Sequence, residues 1–150
     1  MSKALILWAS RMGATTNIGN LIAEGLRIAG CEVDVRDVKY IKSEDELVGY
    51  DAVVLGSATY HGEMMQPMKT FLFMAEKADL KNAVGGAFGA FGWSGEAPDR
   101  IFDTMKHIFQ MKMVKGPLRL KSATVDGAIK MAQDYGKEIA ALVGSDYRKP

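Results

Sequence analysis

Residues 4–30 read "ALILWASRMGATTNIGNLIAEGLRIAG", and the fold follows from this stretch. Ala4 to Ala9 is an unbroken apolar run, as expected of a parallel strand buried on both faces. Ser10 to Thr15 interrupts it with small and polar residues. Beyond them Ile18, Leu21, Ile22, Leu26 and Ala29 recur at helical spacing and make one apolar stripe, which Gly30 closes. A buried strand that turns within six residues into an amphipathic helix opens a βαβ unit. The loop between them then lies at the carboxyl end of the strand.

The alternation continues along the chain. "EVDVRDV" (32–38) reads as a second strand with Val33, Val35 and Asp37 on one face. Ser43 followed by Glu46 is a capping-box signature for a short second helix. "AVVLG" (52–56) is a third strand, and Pro67 suits the first turn of a third helix carrying Met68, Phe71, Leu72 and Ala75. "AVGGAFGAF" (83–91) is a fourth strand thinned by glycine, and a fourth helix should bury Ile101, Phe102, Met105, Ile108 and Phe109. "PLRLKSATV" (117–125) offers a fifth strand. Ile129, Ala132, Tyr135, Gly136, Ile139 and Val143 stripe a fifth helix. This pattern predicts an α/β fold with a doubly wound, five-stranded parallel sheet and helices on both faces. Such sheets bind ligands beyond the carboxyl ends of their strands, here in the loops after strands one, three and four.

Composition narrows the function. The 150 residues suffice for one domain spanning 1–150 with its own core. Lysine and arginine exceed aspartate and glutamate by 19 − 18 = +1, which gives no reason to expect nucleic acid as a partner. One cysteine, Cys31, excludes an intrachain disulfide, and the two histidines, His61 and His107, do not assemble a metal site. No apolar run reaches the ~20 residues of a membrane span, and "MSKALILWAS" turns polar too early for a signal peptide. The expectation is a cytoplasmic protein with no membrane partner.

The first loop, "SRMGAT", offers hydroxyls, backbone amides and one glycine at a helix start, where unpaired N–H groups and the helix dipole can hold a phosphate. It reads equally as a capped helix start, with Thr15 or Thr16 as the cap. The loop after strand three, "GSATYHGEMMQP" (56–67), is long for a βα connection and carries Ser57, Thr59, the amphipathic Tyr60 and His61, and Gly62. The loop after strand four, "GAFGWSGEAPDR" (89–100), spaces Gly89, Gly92 and Gly95 around Trp93, so its backbone could lie against a flat group. Ser94 could cap the following helix. One loop suits a phosphate and two suit a planar heteroaromatic ring. Flavin mononucleotide (FMN) has that shape.

With these motifs the chain resembles the flavodoxin family, most of all the flavodoxin-like domain of flavodiiron (A-type) flavoproteins. "SRMGAT", "GSATYH" with "MMQPMKTFL", and "AFGAFGWSGEA" (87–97) carry the resemblance over nearly the whole chain. It implies strand order 2-1-3-4-5 and phosphate contacts from Ser10, Arg11, Met12, Gly13, Ala14 and Thr15. It implies ring contacts from Ser57, Ala58, Thr59, Tyr60, His61 and Gly62, and from Ala90, Phe91, Gly92, Trp93 and Gly95, with Trp93 against the ring. The diiron module of those flavoproteins has no counterpart here. Nearby charge should tune the cofactor: Arg11 or a protonated His61 would favour a negatively charged reduced ring, and Glu63 or Glu96 would oppose it.

The function implied is a monomeric FMN-binding electron carrier working between redox proteins, iron–sulfur or diiron proteins among the candidates. An FMN-dependent NAD(P)H:quinone reductase or flavodoxin-like oxidase is the alternative. A non-redox module of the same fold, such as a phosphoacceptor receiver or a nucleotide sensor, is disfavoured: "LGSATY" and "WASRMG" lack the aspartates a receiver needs.

Overall fold

The computed structural model describes residues 2–10, 13–60, 62–91 and 95–145. In chain order the elements are β1 (Lys3–Ala9), α1 (Ala14–Ile28), β2 (Glu32–Asp37), β3 (Ala52–Ser57), a hairpin of β4 (Thr59–Tyr60) and β5 (Glu63–Met64), α2 (Gln66–Ala75), β6 (Val84–Ala90), α3 (Glu96–Asp103), β7 (Lys112–Met113), β8 (Leu118–Leu120) and α4 (Ala128–Ser145). The main sheet runs β2-β1-β3-β6, with β7 and β8 both beside β6, and every pair in it is parallel. Ala4 lies opposite Val33 on one side and Ala52 on the other, and Leu55 lies opposite Ala87. This is the order 2-1-3-4-5 that the resemblance implies, with β6 fourth and the fifth place shared by β7 and β8.

The central strands are buried throughout, which is why their sequences read as continuous apolar runs. Neighbouring residues of β6 mark the two faces of the sheet. A Cβ on Gly85 would meet Met105 and Met111, whereas one on Gly86 would meet Tyr135 and Ile139 of α4. On the α4 face, α1 and α4 cross at a glycine pair. A Cβ on Gly25 would stand 2.0 Å from the Gln133 carbonyl oxygen, and one on Gly136 2.2 Å from that of Ile22. Gly136, read from the sequence as part of an apolar stripe, is there because two backbones touch.

The split fifth position leaves a gap in the sheet beside Ala87, between the pairings at Gly85 and Phe88. A buried strand amide must find another partner there. The Tyr135 hydroxyl supplies it: Oη accepts from Ala87 N–H at 3.1 Å and lies 3.1 Å from Ala87 O and 2.7 Å from Gly116 O, either of which can take its proton. Burial pushes the pKa of this phenol well above its ordinary value, so it stays protonated.

Several sequence expectations are corrected. The second helix is one 3₁₀ turn, Glu44–Leu47, although its capping box is present. Extended Val48 and left-handed Gly49 (φ +94°) stop it before a second turn. The fifth strand is three residues of the nine expected. Ile108 is 57% exposed, because the chain widens into a π turn over Thr104–Ile108, closed by Phe109 N–H to Thr104 O at 3.1 Å. The wider turn rotates Ile108 off the buried stripe. Ile129 is also exposed, since α4 buries the stripe of Ala128, Ala132, Tyr135 and Ile139 beside it. Ala29 lies past the end of α1 and is exposed.

Two stability changes follow. Gly136→Ala pushes a methyl into a backbone oxygen and should cost about 3 kcal/mol. Tyr135→Phe leaves the Ala87 amide unpaired and should cost about 1–3 kcal/mol. Urea denaturation of the two variants against the wild-type chain measures both.

Candidate functional site

Three connections meet at the carboxyl ends of β1, β3 and β6. The first leaves β1 at Ala9. Ser10 Oγ accepts Gly13 N–H at 3.1 Å, and Gly13 takes the left-handed conformation (φ +87°) that starts α1. Neither Thr15 nor Thr16 caps the helix, the alternative that the sequence leaves open, and no side chain among the described residues does so. The helical ladder begins with Asn17 N–H to Gly13 O at 3.0 Å. The amides of Ala14, Thr15 and Thr16 therefore precede it, as the first amides of a helix must. The first turn carries no acidic side chain. This end of α1 fits a phosphate: donors without a cap, positive dipole, and no carboxylate in the first turn to repel the anion.

Thr15 is fully buried and works in a second direction. Its Oγ1 accepts Ala90 N–H, at 3.4 Å, from the end of β6. Its hydroxyl proton remains for another acceptor. Ala58 N–H reaches Ala9 O at 3.4 Å and ties the second connection to the first.

The second connection, expected as a loop, is the β4–β5 hairpin. Thr59 pairs with Met64 and Tyr60 with Glu63, and Gly62 occupies the turn with φ +76°. The buried Ser57 hydroxyl donates to Ala58 O at 2.8 Å and accepts Met65 N–H at 2.9 Å, so it closes the base of the hairpin. Thr59 Oγ1 accepts Ala97 N–H at 3.0 Å and thereby serves the first turn of α3. Tyr60 is half exposed at 51%. A cavity of about 540 Å³ beside the hairpin is lined by Ala58, Tyr60, Glu63, Met65 and Lys69 among others.

The third connection follows Ala90. Phe91 N–H is held by Leu120 O at 3.1 Å, and Gly95 precedes α3. Gly89, which the sequence suggests as backbone against a flat ligand, is instead pressed on β3: a Cβ there would stand 2.1 Å from the Ser57 carbonyl oxygen. Arg11, Met12, His61, Gly92 and Trp93, all expected at the site, lie outside the described residues, as does Ser94, the expected cap of α3. Among the described residues no three His, Cys, Asp or Glu side chains group to hold a metal ion.

The structure also brings in residues that sequence reasoning did not select. Glu63 Oε2 lies 3.6 Å from Lys69 Nζ and its Oε1 lies 3.6 Å from Arg100 Nε, so Glu63 is paired with two cations. Asp99 pairs with Arg119 at 3.1 Å across from β8. Lys69 lies in "MMQPMKTFL" and Arg100 ends "GAFGWSGEAPDR", but neither stretch marks the cation as a partner of Glu63. The signal available was their likeness in charge and the presence of Glu63 between the glycine turn and α2.

A parallel sheet of order 2-1-3-4-5, with an uncapped helix start and two loops gathered at its carboxyl edge, defines the doubly wound α/β class, which takes ligands at that edge. The flavodoxin domain model matches residues 5–133, and the chain belongs to the flavodoxin family. It is 30% identical over 138 residues to the putative diflavin flavoprotein A 5 of Nostoc, covering 90% of this chain but 24% of that protein. The chain thus spans about a quarter of the length of the diflavin flavoproteins it matches. It is 34% identical over 138 residues to an NAD(P)H dehydrogenase (quinone) of Rhodopseudomonas palustris, covering 76% of this chain and 69% of that one. A solved flavodoxin from the domain Archaea superposes with a TM-score of 0.88 at 29% identity, over 95% of this chain and 99% of the other. The cofactor of the family is FMN, and the uncapped α1 start fits its phosphate.

Thr15→Val keeps the shape of the side chain and deletes its hydroxyl. The buried Ala90 amide then loses its partner, at a cost of about 1–3 kcal/mol in urea denaturation of the FMN-free chain. FMN affinity, read by flavin fluorescence quenching, should fall roughly tenfold if the Thr15 hydroxyl proton is given to the cofactor, and should stay unchanged if it is not.

Proposed function

We propose that residues 1–150 form a single FMN-binding domain that works as a monomeric electron carrier, passing one or two electrons between redox proteins in the cytoplasm. The observation that carries the reading is the start of α1. Its amides and the buried Thr15 hydroxyl stand ready for an anion, beside two connections already fastened to each other. When bound, FMN supplies the redox chemistry itself.

The chain's own residues bind, orient and screen. Ser10 fixes Gly13, and Gly13 aims the first amides of α1 into the loop. Ser57 and Thr59 hold the hairpin, so Tyr60 is carried on a braced support beside the ring. The Thr15 bond to Ala90 keeps the phosphate end and the third connection in fixed relation. We assign phosphate contacts to Ser10–Thr15 and ring contacts to Ser57–Gly62 and to Ala90, Phe91, Gly92, Trp93 and Gly95. Iron–sulfur and diiron proteins are candidate partners.

A second reading has one observation in its favour, the similarity to an NAD(P)H dehydrogenase (quinone) over most of both chains. It would make the protein an enzyme that takes electrons from NAD(P)H directly.

One experiment addresses both. The chain, purified with FMN, is titrated anaerobically with reductant and then mixed with NADPH alone. A carrier should bind one FMN per chain, accept its two electrons in separable steps and react slowly with NADPH. Rapid bleaching by NADPH would favour the reductase, and failure to retain FMN would overturn both readings.

A further inference from the structure

We infer that Glu63, Lys69 and Arg100 form an ionic strap that holds the hairpin against both neighbouring helices and sets the charge felt by the ring, an inference that rests on the flavin site proposed above. A hairpin of two residue pairs has little stability of its own. Its base is closed by Ser57 and Met65, and its first strand is held to α3 by Thr59 and Ala97. The second strand is held differently. Glu63 follows the left-handed Gly62 directly and sits opposite Tyr60. Its two carboxylate oxygens divide between two helices, Oε2 toward Lys69 of α2 and Oε1 toward Arg100 of α3, each at 3.6 Å. Lifting the turn from this position separates both ion pairs together.

The charge count gives the strap its second role. Within the strap itself one carboxylate and two cations leave +2 − 1 = +1, so Glu63 does not act as the uncompensated negative charge that its sequence position suggests. A net positive charge favours the reduced, negatively charged form of a bound ring, and Glu63 moderates it. All three side chains are partly exposed, so the effect is moderate and screened by salt.

Loosening of the hairpin and a change of charge predict different results. Glu63→Gln, Arg100→Gln and the double variant are loaded with FMN, and their reduction potentials are measured at low salt and at about 1 M salt, where the screening length falls to roughly 3 Å. If charge sets the potential, Glu63→Gln makes reduction more favourable and Arg100→Gln less so. Each should move the reduction equilibrium by roughly threefold at low salt and by much less at high salt. The double variant, with net charge +1 again, should return close to wild type. Shifts of the same sign in both single variants, or shifts that ignore salt, would overturn the electrostatic role.

The strap is read separately in the FMN-free chain, by hydrogen exchange at the Met65 and Ala97 amides. Both single variants should speed exchange there about two- to fivefold, the size of a broken surface ion pair. Unchanged exchange would overturn the strap. A wild-type chain that takes up no FMN would refute the flavin site and with it the charge-setting role, while the exchange rates would still decide the mechanical one.

Discussion

A buried backbone amide has to be paired, and in this chain four side-chain hydroxyls do what the sheet cannot. Tyr135 completes the pairing of Ala87 where the fifth strand position is broken. Thr15 takes the amide of Ala90 as β6 leaves the sheet, Ser57 takes that of Met65 at the hairpin base, and Thr59 takes that of Ala97 at the start of α3. Three of the four lie where strands run out and the binding connections begin. The same bonds that satisfy the backbone therefore fix the three connections relative to one another, which is what a site built on loops requires.

Much of the fold was legible because its cause is local. A strand buried on both faces has to be apolar along its length, and Ala4–Ala9 and Ala52–Gly56 announce themselves in that way. Stripe positions such as Ile18, Ile22 and Leu26 are equally direct. The misses are non-local. Nothing near Ile108 signals the π turn that rotates it outward, and nothing near Tyr135 signals that its ring fills a break beside Ala87. Capping chemistry at Ser43 was read correctly, but it starts a helix without saying how soon Gly49 ends it.

The site divides along the same line. Its loops stood out by composition, since glycine, hydroxyl and aromatic residues at the ends of apolar strands have few other uses. Individual roles were harder to read, because a hydroxyl does not reveal its partner. Thr15 reads as a phosphate contact or a helix cap and binds a strand end, and Gly89 reads as room for a ligand and makes room for Ser57. Lys69 and Arg100 carry only a weak signal in sequence, their charge, since the residue they share, Glu63, is brought to them by the hairpin.

The broken fifth strand position has one more consequence. On that side the sheet ends in β7 and β8, of two and three residues. On the other it ends in β2, whose outward residues include Glu32 and Asp34. A short rim and a charged rim are both poor templates for adding a foreign strand. A sheet so rich in valine, leucine and isoleucine is thereby guarded against edge-to-edge growth, and the chain can be concentrated in solution with less risk of polymerising through its own backbone.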